Sequence, residues 1–147
     1  MKKIAGIGWV MAVCGVLGSA RAAEPSPLAV VKTGENFKVL AGTVSPSKDA
    51  LSGKLALEIL PTEKWKFAEK AVTAIDITPP QAVRMDKVKL RNPDLAQSQP
   101  KLRRYEVPFK AAARGQYELK IKFDFVVCND ELCQKKKFEL SYLLNAG

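Results

Sequence analysis

The chain has no histidine and only three cysteines among its 147 residues. Without an imidazole it lacks the side chain most often used as a general base near neutral pH, which is also the commonest metal ligand. Zinc and haem sites are correspondingly short of ligands. No serine elbow, no glycine-rich phosphate loop and no carboxylate pair of defensible proximity can be read from the residues. The sequence therefore carries no hydrolase or metal-enzyme signature and calls for no cofactor. Beyond residue 22 no apolar run approaches the roughly 20 residues a membrane-spanning helix needs, so stable membrane insertion is not expected. Internal repeats, low-complexity tracts and strong helical periodicity are missing too.

What is present begins with an export pattern. Met1-Lys2-Lys3 precedes an apolar run from Ile4 to Leu17, and Gly18-Ser19-Ala20-Arg21-Ala22 follows. That is the charged, apolar and small-residue order of a signal peptide, with cleavage expected after Ala22. Acylation of Cys14 as a lipoprotein is the rival reading. Val13 is bulkier than lipoprotein processing wants before the cysteine, and the apolar run continues past Cys14, so the cleaved form is preferred. The mature chain is expected to be periplasmic or secreted.

Removing residues 1–22 leaves 125 of the 147, suited to one domain. Residues 23–36, with Pro25 and Pro27, read as a loose leader able to add a short strand, and 37–147 as the domain. Lys2, Lys3 and Arg21 leave with the signal, taking the net charge from +9 to +6. The tightest basic run, Lys135-Lys136-Lys137, reads as a solvated edge strand, where lysines discourage sheet-to-sheet aggregation. Nucleic acid is not an expected partner.

Period-two alternation dominates the rest. It marks strands at Phe37–Thr43, at Leu55, Leu57 and Ile59, at Thr73, Ile75 and Ile77, and at Tyr105, Val107 and Phe109, where Pro108 suggests an edge. In the clearest strand Tyr117, Leu119, Ile121, Phe123 and Phe125 alternate with Glu118, Lys120, Lys122 and Asp124. Its partner is Phe138 to Leu144, joined to it through Cys128–Lys137. Asn92 to Pro100 reads as an exposed loop. The expected fold is all-β: an immunoglobulin-like sandwich of about seven to nine strands.

With Cys14 in the signal, Cys128 and Cys133 remain, and two cysteines in an oxidising compartment usually pair. The loop they close is very short, worth roughly 2 kcal/mol on the chain-entropy model. Spacing alone leaves two readings open, a permanent hairpin staple or an accessible pair that exchanges with thiols. Asp130 and Glu131 would raise a neighbouring thiol pKa, while Lys135 to Lys137 would lower it.

The stretch from Arg114 to Cys128, followed by Asn129 to Cys133, resembles the N-terminal periplasmic domain of the disulfide interchange protein DsbD. The likeness covers about the last 45 residues. It implies an immunoglobulin-like domain whose cysteine pair, Cys128 and Cys133, is a reversible redox centre on a late hairpin. Lys64-Trp65-Lys66-Phe67 occupies the place of that family's aromatic cap, which makes Trp65 and Phe67 candidate shields. Filling the core is the other reading of both. The cysteine spacing is one residue shorter than in the family member compared, and the glycine and proline around the cap are missing. The chain also ends at Gly147, without the family's membrane and thioredoxin-like domains. The resemblance therefore implies a stand-alone relay whose partners are a membrane thiol reductase and exported thiol or disulfide proteins. A binding or structural module with a permanent disulfide is the alternative.

Overall fold

A computed structural model of the chain describes residues 28–146; the expected signal peptide, residues 1–22, and Cys14 lie outside them. Eleven strands occur among the described residues: β1 (Ala29–Thr33), β2 (Phe37–Val44), β3 (Ser52–Pro61), β4 (Lys66–Phe67), β5 (Ala74–Thr78), β6 (Val83–Arg84), β7 (Lys89–Leu90), β8 (Gln97–Gln99), β9 (Leu102–Ala111), β10 (Gly115–Cys128) and β11 (Cys133–Ala146). Seven of these have five or more residues, and a single 3-10 turn at Asn92–Asp94 is the only helical element described.

The strands form two sheets. One runs β1-β2-β3-β9-β6 with β8 also on β9; the other runs β11-β10-β5-β7 with β4 also on β10. All pairings are antiparallel. The expected immunoglobulin-like β-sandwich is thus the fold observed. Its core lies between the sheets and follows the alternation in the sequence. Leu55, Leu57 and Ile59 of β3 and Tyr105 and Val107 of β9 meet Leu119, Ile121, Phe123, Phe125 and Val127 of β10, all essentially inaccessible to solvent. Each such side chain contributes roughly 1.5–3 kcal/mol by leaving water.

Three local readings gain detail from the tertiary structure. Part of the 23–36 leader belongs to the sandwich, because Ala29–Thr33 pairs with β2 and satisfies its backbone there. The supposed loop at 92–100 contains β8, an exposed polar strand recruited by the free flank of β9. Pro108 lies inside a sheet whose order places β9 between β3 and β6, but β8 and β6 cover only the two ends of β9. Over the stretch holding Pro108 that flank is locally an edge, which is where a residue without an N–H belongs.

The last hairpin is longer than alternation suggested. β10 and β11 pair residue for residue from Gly115↔Ala146 to Cys128↔Cys133, so the connection is Asn129–Leu132 alone. β11 is an edge strand, as the lysine run implied. On its outer face Lys135 lies 3.7 Å from Asp124 and Lys122 lies 3.9 Å from Glu139. On its inner face Phe138 stacks between Phe37 and Phe123, with centroids 5.3 and 5.0 Å away.

Candidate functional site

Cys128 and Cys133 are directly opposed across the β10–β11 register and form a disulfide, with Cα atoms 3.9 Å apart. The turn beyond them is built by Asn129. Its backbone N–H donates to Leu132 O at 2.9 Å, and its Oδ1 accepts the N–H groups of Glu131 and Leu132, each at 2.8 Å. This Asx arrangement orders the turn without using Asp130 or Glu131, whose side chains are exposed and make no hydrogen bond or ion pair among the described residues. Leu132, also in the turn, is an exposed apolar side chain.

The two sulfur-bearing residues differ in environment. Cys128 is 9% exposed, whereas Cys133 is open to solvent. The cause is β4, which adds to the far side of β10 so that Lys66 pairs with Cys128 and Phe67 with Val127. Cys128 is thus flanked on both sides, while Cys133, on an edge strand, is flanked on one. The residue after Cys133 is held as well, since Asn36 Nδ2 donates to Gln134 Oε1 at 2.8 Å.

Of the aromatic candidates, Phe67 is brought to the cysteines and Trp65 is not. Phe67 is buried and packs edge-on against Phe125, with centroids 6.0 Å apart. Its N–H donates to Pro100 O at 2.9 Å, which docks β4 to the segment before β9. It is a core side chain that also borders the pocket beside Cys128. Trp65 is partly buried against the core and stays out of the pocket beside Cys128.

That pocket, of about 670 Å³, is bordered by Cys128, by Lys66 to Lys70, by Ser98 to Pro100 and by Arg103. Arg103 did not stand out in the sequence, although its spacing held a signal. It is in phase with Tyr105, Val107 and Phe109, so strand alternation turns it inward. Among the described residues no group of three or more cysteine, aspartate or glutamate side chains converges as a metal site would require.

No protein-family model matches the chain, and no curated protein matches it in sequence. Solved structures resemble it in fold. The GAE domain of GGA2p from Saccharomyces cerevisiae is 8% identical, with a TM-score of 0.49, over 82% of this chain and 99% of that one. The yeast GGA1 GAE domain is 9% identical, with a TM-score of 0.49, over 78% and 97%. A conjugative transposon lipoprotein from Bacteroides eggerthii is 15% identical, with a TM-score of 0.39, over 76% and 99%. Likeness at this level carries no argument about function.

Proposed function

We propose that the chain holds an exported thiol-disulfide exchange domain, a counterpart of the N-terminal periplasmic domain of DsbD, acting through a reversible Cys128–Cys133 pair. The observation that carries this reading is the asymmetry of the pair: one sulfur-bearing residue exposed at a hairpin tip, its partner enclosed beside a pocket.

The pair is a poor place for a bond whose purpose is stability. The hairpin register is already set by fourteen paired positions. A bridge across a four-residue turn adds only roughly 2 kcal/mol. Exchange, by contrast, needs an accessible sulfur and a leaving thiolate. A thiolate of a dithiol reductase would attack Cys133 Sγ, forming a mixed disulfide and releasing Cys128 as a thiolate that takes up a proton. The reductase's second thiolate then attacks its own sulfur in the mixed disulfide and releases Cys133. The reductase ends as a disulfide, and the pair gains two electrons and two protons. The reverse sequence passes them to the disulfide of an exported protein. Lys66, Lys70 and Arg103 around the pocket place positive charge near Cys128 and so favour its departure.

The deciding experiment is the reduction potential of the pair, measured by equilibration in dithiothreitol or glutathione buffers with thiol trapping. A value of roughly −270 to −120 mV with the fold intact in both states is expected for exchange. A value well below about −300 mV, with unfolding on reduction, would mark a permanent staple and leave the chain a binding or structural module.

A further inference from the structure

Arg103, on the inward-facing side of β9, is 6% exposed. Its Nη1 donates to Thr73 Oγ1 at 3.1 Å and to Asn92 Oδ1 at 3.2 Å. Both acceptors are neutral and themselves fixed: Asn92 Oδ1 also accepts the Thr73 N–H at 2.9 Å, and Asn92 Nδ2 donates to Ala71 O at 3.3 Å. One face of the guanidinium lies over Phe67, with its carbon 4.8 Å from the ring centroid. Nε has no hydrogen-bond partner, and Arg103 is in none of the ion pairs among the described residues. Burial lowers its pKa, against a smaller opposing contribution from Tyr105. A cation enclosed without a counter-charge is costly, and the fold supplies only neutral oxygens and a π face to offset it.

The same guanidinium borders the pocket beside Cys128, together with Lys66, Lys70, Ser98 and Gln99, against a single carboxylate, Glu69. We propose that this pocket is a binding site for a small organic carboxylate, anchored by Arg103 with Lys66 and Lys70 at its rim. With Nη1 engaged by Thr73 and Asn92, the edge formed by Nε and Nη2 remains. That edge presents two parallel N–H groups matched to the two oxygens of a carboxylate. Nε is enclosed, so full engagement requires the atoms that cover it to shift. The volume of about 670 Å³ falls within the range of roughly 300–1,000 Å³ typical of small-molecule sites. The bound anion supplies the counter-charge that the chain withholds. This site does not depend on exchange at the disulfide.

The test is a titration of the ¹⁵N-labelled oxidised protein with succinate, followed by NMR at the amides of Ala68 to Lys70, Ser98 and Gln99 and at the Arg103 Nε–H. Saturable shifts confined to these groups are expected, together with their loss in Arg103→Gln. If that variant fails to fold, the Lys66→Gln, Lys70→Gln double variant should bind succinate several-fold more weakly. Three results would overturn the proposal: no saturable shift, an equal response to inorganic phosphate, or undiminished binding in whichever of these variants folds. In each case Arg103 would be a structural clamp between β9 and the segment before β5. Because the protein stays oxidised throughout, the outcome is separate from the redox test above.

Discussion

Cys128 and Cys133 face each other across one register position, yet β4 covers only Cys128. A direct consequence concerns the reduced protein. Brief treatment with a neutral alkylating agent should modify Cys133 several-fold faster than Cys128, because access as well as thiolate character governs the rate. Peptide mass spectrometry of the partly labelled chain reads the ratio.

Removal of the bond should leave the sandwich standing. The Cys128→Ala, Cys133→Ala double variant is expected to lose about 2 kcal/mol in urea unfolding, the loop-closure contribution, while keeping its far-UV circular dichroism. Loss of all cooperative unfolding would instead make the disulfide essential to the fold.

Phe67 and Trp65 separate shielding from packing. Phe67→Ala empties a buried site against Phe125 and Arg103, so a cost of about 3–5 kcal/mol is expected, with faster reduction of the disulfide by dithiothreitol. Phe67→Leu should recover most of the stability. Trp65→Ala should change the reduction rate little, because Trp65 does not border the pocket at Cys128.

Tyr105 provides a pH signature. Burial pushes its hydroxyl up to about 12 from an ordinary 10.0, with Arg103 pulling in the opposite direction. A raised folded pKa means that the unfolded chain releases the proton first. Stability should therefore be intact below about pH 10 and fall between pH 10 and 12, by up to about 3 kcal/mol for a shift of this size. Tyr105→Phe should flatten that limb of the pH–stability curve, at a cost of about 1 kcal/mol for the lost Tyr105 Oη–Thr73 O contact.

Much of this molecule was readable from its order of residues. Alternation in β3, β9 and β10 is a local property, since successive side chains of a strand must point to opposite faces, and it marked most of the core. Simple counting paired Cys128 with Cys133. The short strands were not readable in the same way. β4, β6, β7 and β8 are two or three residues long, too short for any period, and exist because a neighbouring strand offers unpaired backbone groups.

The candidate site shows the same division. The residues alone determined an export pattern, an all-β chain and a cysteine pair at a hairpin. Only the tertiary structure decided that Cys128 is covered and Cys133 open, because that depends on β4 reaching β10 across some sixty residues of sequence. It also decided that Arg103 faces Phe67, Thr73 and Asn92 and forms no ion pair among the described residues. Which charges meet inside a sandwich is set by how distant strands stack, and strand periodicity reports only which way each side chain turns.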